Sequence, residues 1–171
     1  GILGERKGRG TMRDERTQLL KRIWAAEDEA YDLMCEYDSL PHHYGENILY
    51  QAEGQIIDLI AEHPDITITD LAGILHKTPS ACSQIVRKLR DKGWVVQERN
   101  SENNRQFKLR LTERGEVVYQ DHTNFNRHCQ TLTFEKLHGY TEEELALFLR
   151  IQGDINSAFA DDVRRSREHF V

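Results

Sequence analysis

The sequence predicts a mainly α-helical fold that carries one small β-hairpin. Apolar residues recur at three- and four-residue spacing through most of the 171 residues, which is the pattern of amphipathic helices. Two short alternating runs, "WVVQER" and "QFKLRL", flank the polar segment "NSENN", which is typical of a hairpin and its turn. This length is sufficient for one domain of ordinary size with its own core.

The first part of the chain predicts two helices. Residues 1–11, "GILGERKGRGT", look like an added tail or a disordered arm and are set apart. Apolar residues from Leu19 to Cys35 predict a long amphipathic helix that ends near residues 39–41. A second helix is predicted from about Asn47 to Glu62, because Pro64 disfavours helical backbone just before it.

The middle of the chain predicts two helices joined by a short turn. Thr67 and Asp70 have the spacing of a capping box and open a short helix. Thr78–Pro79, a hydroxyl N-cap followed by proline at the first helical position, opens the next helix, which Gly93 ends. This helix has an apolar face and a face of short polar and cationic side chains. The apolar face is Cys82, Ile85, Val86 and Leu89, and the polar face is Ser80, Ser83, Gln84, Arg87 and Lys88.

Two further helices are predicted after the hairpin. The first starts near Thr112 and is broken at Gly139, and a capping box formed by Thr141 and Glu144 opens the last one. Two helices joined by a turn and followed by a hairpin form a winged helix-turn-helix. In such a domain the first turns of the second helix approach base edges in the major groove, where short hydrogen-bonding side chains suit.

The charge distribution supports a nucleic-acid partner. The net charge of −6, taken alone, argues against one. Residues 76–110, however, hold nine Lys/Arg and three Asp/Glu, which gives this segment a charge of +6. Local clustering of cations matters more for binding a phosphate backbone than the charge of the whole chain.

These segments resemble the MarR family of bacterial transcriptional regulators. The resemblance is carried by "ITITDLAGILHKTPSACSQIVRKLRDKGWVVQER" and "NNRQFKLRLTERG", of which "KLRDKGWV" and "LTERG" are the most specific pieces. It implies a homodimer, and a two-fold dimer would set the two recognition helices about one DNA turn, ~34 Å, apart. It also implies that residues 12–46 form an N-terminal dimerisation helix and its connection, 47–111 the winged helix-turn-helix, and 112–171 the C-terminal dimerisation helices.

The resemblance also implies which residues contact DNA. The wing of this family usually carries Asp two positions before an arginine that enters the minor groove; here Asn103 stands before Arg105. The expected DNA-binding residues are Thr78, Ser80, Ala81, Ser83, Gln84, Arg87, Lys88, Arg99, Arg105 and Lys108.

The resulting interpretation is a ligand-responsive, dimeric regulator that binds a pseudo-palindromic operator in double-stranded DNA, most often as a repressor in this family. Two alternatives stay open. One is a zinc- or redox-sensing regulator of the same fold, and the other is a winged-helix protein-interaction module without DNA binding. The sequence has no G-x-S-x-G, H-E-x-x-H or Gly-rich phosphate loop, so neither an enzymatic activity nor a cofactor is expected.

A small-molecule effector is expected where the first, second and fifth helices meet the winged helix. Aromatic and imidazole groups there suit a small aromatic ligand, although imidazole and carboxylate groups also bind zinc. Of the ligand positions in zinc-sensing relatives only Asp121 and His122 fall in register, so no metal is predicted. The expected effector site comprises Trp24, Tyr31, His42, His43, Tyr44, Glu53, Asp121, His122 and Phe125.

The expected location is the cytoplasm, without membrane association. No apolar run is long enough to span a bilayer, and no signal peptide is recognisable. The three cysteines lack CxxC spacing, which favours a reducing compartment over a disulfide framework.

Overall fold

The computed structural model describes residues 4–99, 102 and 106–169, and within these ranges the chain forms six helices and two antiparallel hairpins. This confirms a mainly helical winged helix-turn-helix flanked by long helices. The chain divides into two compact units, one ending at Thr123 and the other beginning at Asn124, both inside the fifth helix, while the functional division at residue 112 stays a prediction. The elements are α1 (Gly4–Ser39), β1 (His42–Tyr44), β2 (Asn47–Leu49), α2 (Gln51–Glu62), α3 (Ile68–Leu75), α4 (Pro79–Asp91), β3 (Val95–Arg99), β4 (Phe107–Leu111), α5 (Glu113–Leu137) and α6 (Glu142–His169).

Helix α1 begins at Gly4, before the position at which the sequence predicted the N-terminal helix to start. The segment that was set apart as a tail or disordered arm is therefore helical from residue 4 onward. The physical reason is helix cooperativity. Extending an existing helix adds one backbone hydrogen bond per residue without a new nucleation step, so a long helix can continue into a polar segment that contains glycine.

A short hairpin precedes α2, where the sequence predicted a helix starting at Asn47. His42 pairs with Leu49 and Tyr44 pairs with Asn47, and Gly45 in the turn has a φ of +60°. Glycine adopts this φ readily at the first position of a two-residue hairpin turn. The pairing buries Tyr44 and Leu49, so the predicted domain boundary at residue 47 cuts through the hairpin. Each strand has only three residues, too few for their periodicity to separate a strand from a helix, and the hairpin was missed for this reason.

The helix-turn-helix begins at the two predicted caps. Thr67 Oγ1 accepts a hydrogen bond from the Asp70 N–H at 3.2 Å, and Asp70 Oδ2 accepts one from the Thr67 N–H at 3.0 Å, so the capping box of α3 is confirmed. At the start of α4, Thr78 Oγ1 accepts from the Ala81 N–H at 3.1 Å, and Pro79 occupies the first helical position. Both caps satisfy backbone donors that a helix start leaves without an intrahelical partner.

The core of the winged helix lies between α2, α3, α4 and β4. Helix α4 contributes Cys82, Val86 and Leu89, all of which are fully buried, as its apolar spacing predicted. Helix α2 packs against them, and β4 closes the other side. Other large buried side chains of the protein include Leu49, Ile56, Ile57, Leu71, Trp94, Leu109 and Val118.

The wing is the β3–β4 hairpin, and it is tied to the turn before α3. Val95 pairs with Leu111 and Arg99 with Phe107, so the two predicted strands are confirmed to within one residue. The N–H of Leu109 in β4 donates a hydrogen bond to the Ile66 carbonyl at 2.9 Å. The segment before α3 thus lies along the outer edge of β4 and fixes the direction in which the wing leaves the domain.

The "LTERG" segment forms a tight joint between the wing and α5. Thr112 Oγ1 donates to the Gly93 carbonyl at 2.6 Å and accepts from the Gly115 N–H at 3.0 Å, while the Thr112 N–H donates to the Trp94 carbonyl at 3.0 Å. A Cβ atom at Gly115 would overlap the Trp94 carbonyl oxygen, and backbone cannot move away as a flexible side chain can. This packing explains physically why glycine occupies the end of the motif.

The last two helices follow the predicted order. Thr141 and Glu144 form the predicted capping box at the start of α6, with both hydrogen bonds 3.1 Å long. Helix α6 has no buried residue among those that the structure describes. Across residues 4–99, 102 and 106–169, none of the helices combines the length and the apolar character needed to cross a membrane.

The joint gives a stability prediction. Replacing Gly115 with alanine should lower the free energy of unfolding by about 1–3 kcal/mol, the usual cost of overpacking, because the new methyl group must displace the Trp94 carbonyl. Urea denaturation of the two proteins measures the difference. The matched control is Gly73→Ala in α3, where nothing lies within 4 Å of the new Cβ atom. That change should stabilise by roughly 0.5–1 kcal/mol, and equal effects at both glycines would contradict the proposed clash.

Candidate nucleic-acid interface

Helix α4 presents its polar face to solvent. Short side chains occupy its first two turns, so its backbone can come close to base edges without a steric barrier. Thr78 caps the helix and is exposed, with its hydroxyl engaged by the Ala81 N–H. The other predicted contact residues on this helix are at least partly accessible: Ser80, Gln84, Arg87 and Lys88 are exposed, and Ala81 and Ser83 are half-buried.

The cations of α4 differ in how they are held. Arg90 donates to the Gln97 side chain of the wing at 2.9 Å. Arg87 and Lys88 are exposed, and neither forms an ion pair with another residue in the part of the chain that the structure describes. Their charges therefore remain available to phosphate oxygens along one side of the polar face.

The cations at the root of the wing are engaged within the protein. Lys108 Nζ lies 3.7 Å from Asp65 Oδ1, and its side chain is half-buried. The guanidinium of Arg110 lies 3.4 Å from the same Asp65 oxygen and 3.2 Å from Glu98 Oε2. Lys108, which the sequence placed against a phosphate, is thus paired with a carboxylate that sequence reasoning missed.

Two further wing contacts were predicted, Arg99 and Arg105. Arg99 is exposed at the end of β3. Arg105 and the neighbouring Asn103 lie outside the described residues.

A small cleft of about 210 Å³ lies between α3, α4 and the wing. It is lined by Thr67, Ile68, Thr69, Ser83, Gln106 and Phe107. Sequence reasoning assigned DNA contact to Ser83 but missed Thr69 and Gln106. Their exposure beside the start of α4 is a property of the folded domain, and no local motif marks it.

Lys92, directly after α4, fastens the end of this helix to the N-terminal part of the domain. Its Nζ lies 2.8 Å from Glu53 Oε2 and 3.4 Å from the Ile48 carbonyl, and it lies 4.7 Å from the centre of the Trp94 ring. The other Glu53 oxygen accepts a hydrogen bond from the Tyr50 N–H. Glu53, which was expected to line an effector site, is buried and holds α2 against the recognition helix instead.

The structure brings together only part of the expected effector site. His122 is buried, its ring meets the Tyr44 ring edge-on with centres 5.9 Å apart, and its Nδ1 donates to Asp58 Oδ1 at 3.0 Å. Sequence reasoning missed Asp58. His122 also lies close to Gly54, where a Cβ atom would be 3.0 Å from its Nε2 atom.

The other expected effector residues are dispersed. Trp24 and Tyr31 are 60% and 64% exposed on α1, so they do not close over the Tyr44–His122 contact. His42 interacts with Tyr37, with its Nε2 3.1 Å from the Tyr37 carbonyl oxygen. His43 is exposed, Asp121 is half-buried, and Phe125, also half-buried, belongs to the second compact unit.

The positions of the described side chains also bear on the metal-sensing and redox-sensing alternatives. Among the described residues, no three His, Cys, Asp or Glu side chains are grouped closely enough to hold a metal ion. Cys82 is fully buried in the core, and burial raises the pKa of its thiol, which disfavours the reactive thiolate. Cys35 is exposed on α1, and Cys129 is half-buried on α5.

Comparison with known proteins gives a consistent classification. The winged helix-turn-helix DNA-binding family model matches residues 51–96. The uncharacterized HTH-type transcriptional regulator YpoP of Bacillus subtilis (strain 168) is 28% identical over 103 residues, which cover 60% of this chain and 71% of YpoP. The crystal structure of the MarR family transcription regulator SP03579 matches with a TM-score of 0.69 at 20% identity, over 90% of this chain and 98% of that chain.

A second solved structure, that of Streptococcus pneumoniae FabT in complex with DNA, matches with a TM-score of 0.63 at 19% identity, over 85% of this chain and 98% of that chain. At this identity the two structures establish a shared fold, while the family model covers the helix-turn-helix and the first residues of the wing. Residues 51–96 therefore belong to a winged helix-turn-helix DNA-binding segment, and the chain shares the fold of solved MarR family transcription regulators.

Proposed function

We propose that two copies of this chain bind one pseudo-palindromic operator and repress transcription until an effector changes the geometry of the dimer. The observation that carries the proposal is the exposed face of α4. It offers short polar groups on the first turns and two cations, Arg87 and Lys88, that have no internal ion pair among the described residues.

Sequence is read, in this proposal, by the first two turns of α4. Ser83 and Gln84 hydrogen-bond to base edges in the major groove, since both are short enough and lie on the accessible face. Arg87 and Lys88 contact phosphates one to two turns later and fix the register of the helix on the duplex.

Dimerisation is proposed because α1 and α6 each expose large apolar side chains. Burying exposed apolar side chains is favourable, so helices that leave many of them exposed are suited to form an interface. A two-fold dimer would bury it and would also duplicate the recognition helix, which matches a palindromic site. These exposed side chains include Leu19, Leu20, Trp24, Phe148 and Leu149.

The effector is proposed to act at the Tyr44–His122 contact. This contact joins the β1–β2 hairpin to α5, and Asp58 on α2 holds the imidazole from a third direction. A small aromatic ligand that packs against these rings in one dimer geometry better than in the other shifts the population toward that geometry. Repression is relieved if the ligand favours the geometry in which the two recognition helices are spaced less well for the operator.

Base reading and phosphate contact can be separated by two substitutions on one helix. Gln84→Ala should reduce discrimination between operator variants by roughly 1–3 kcal/mol and leave binding to unrelated DNA nearly unchanged. Arg87→Ala, the matched control, should weaken binding to all sequences alike and lower the salt slope by about 1. Fluorescence anisotropy at several salt concentrations measures both. A uniform loss for Gln84→Ala would show that Gln84 contacts only phosphate. No binding of the wild-type protein to any duplex would instead favour the protein-interaction module.

The dimer is tested by analytical ultracentrifugation. We expect one sedimenting species of twice the chain mass at micromolar concentration. Replacing the exposed Phe148 and Leu149 on α6 with serine should shift the equilibrium toward monomer, whereas serine at the exposed Ile74 on α3 serves as a control for general loss of apolar surface. A wild-type protein that remains monomeric would contradict both the dimer and the palindromic operator.

Zinc is tested against an organic effector by calorimetry of the metal-free protein. Because the described residues contain no group of three metal-binding side chains, we expect no tight stoichiometric zinc binding that changes operator affinity. Tight binding that is coupled to DNA affinity and abolished by His122→Ala would establish the zinc-sensing alternative. Zinc binding that leaves DNA affinity unchanged would indicate an incidental surface site.

A further inference from the structure

One face of the wing root carries two cations between two acids. Lys108 and Arg110 project from the same side of β4, because they are two residues apart on a strand. Asp65 lies beyond one edge of the strand and contacts both cations. Glu98 lies on β3 at the other edge and contacts Arg110. The four formal charges sum to zero, so this face is neutral although the surrounding segment is basic.

The position of Asp65 is fixed by backbone structure. The Ile66 carbonyl accepts the hydrogen bond from the Leu109 N–H, which aligns the residue before it with Lys108 and Arg110. Asp65 itself has a φ of +64°, a left-handed conformation that aspartate and asparagine tolerate better than most residues. The carboxylate is therefore held beside the wing by the fold and does not reach it by chance.

A carboxylate in this position reduces what the two cations can gain from a DNA phosphate. A lysine or arginine strengthens binding to any duplex when it replaces condensed counterions at a phosphate, and each such contact adds about 0.9 to the salt slope. A cation that already faces a carboxylate gains less from a phosphate, since it must give up its protein partner. The two cations of the wing root are in this situation, whereas Arg87 and Lys88 are not.

We infer that Asp65 competes internally with DNA phosphates for Lys108 and Arg110, and thereby limits the sequence-independent part of DNA affinity. The inference rests on the proposed DNA-binding function. It assigns the main phosphate contacts of the described residues to α4 and to Arg99 on β3. It assigns to Asp65 a positioning role that the helix-turn-helix motif alone does not reveal.

The test uses Asp65→Asn, which removes the charge and keeps a residue that tolerates the left-handed backbone. Binding to a duplex of arbitrary sequence is followed by fluorescence anisotropy from low to moderate salt. We expect the variant to bind about threefold to tenfold more tightly at 0.1 M salt, with a salt slope larger by about 1–2, the release expected from one or two new phosphate contacts. Thermal unfolding of each variant confirms that the fold is kept.

The matched control is Glu62→Gln at the end of α2. It changes the net charge of the chain by the same amount, and Glu62 makes no ion pair with another described residue. It should leave the salt slope unchanged. Adding Lys108→Met and Arg110→Met to Asp65→Asn should remove the gain.

Each remaining outcome has a definite meaning. An equal gain for Glu62→Gln would reduce the effect to net charge and overturn the inference. An unchanged salt slope for Asp65→Asn, with normal DNA binding by the wild-type protein, would overturn the inference and leave the proposed function intact. Failure of the wild-type protein and all variants to bind DNA would overturn both.

Discussion

The arrangement of α4 relative to the wing depends on one joint. At this joint β4 leads into α5, next to the end of α4. Three hydrogen bonds of Thr112 connect the Gly93 carbonyl, the Trp94 carbonyl and the Gly115 N–H. Gly115 allows two backbone segments to approach more closely than any side chain permits. Because α4, β3, β4 and α5 all start or end at this point, its geometry sets the angle between the recognition helix and the wing.

A second connection fastens the end of α4 to α2 and to the β1–β2 hairpin. Lys92 joins the end of α4 to Glu53 at the start of α2 and to the carbonyl of Ile48 in the β1–β2 hairpin. The same hairpin supplies Tyr44, whose ring contacts His122 on α5. A change at the proposed effector site therefore has a short, contiguous route to the recognition helix, and a buried carboxylate in that route disfavours arrangements that leave its charge unpaired.

The sequence predicted those interactions whose partners lie close together along the chain, and it missed those whose partners lie far apart. The capping boxes of α3 and α6, the proline at the first position of α4 and the apolar face of α4 each depend on residues close together in the sequence. These features were predicted correctly. The pairs Glu53–Lys92, Asp65–Arg110 and Asp58–His122 join residues 39, 45 and 64 positions apart, and no local spacing reveals them. The β1–β2 hairpin was missed for a different reason, since His42 to Leu49 is too short for its periodicity to separate strand from helix.

The difference between neighbours in the sequence and neighbours in the fold also changes how the charge of the wing root is interpreted. A count along the sequence gives residues 76–110 a charge of +6, because it includes Lys108 and Arg110 and leaves out Asp65, which lies earlier in the chain. In the folded domain this carboxylate faces both cations, so a phosphate experiences a less basic surface at the wing root than the linear count indicates. The surface of α4 keeps its positive charge. In the proposed complex, affinity is therefore concentrated on α4, the helix to which base reading is also assigned, and the wing root contributes shape and orientation more than charge.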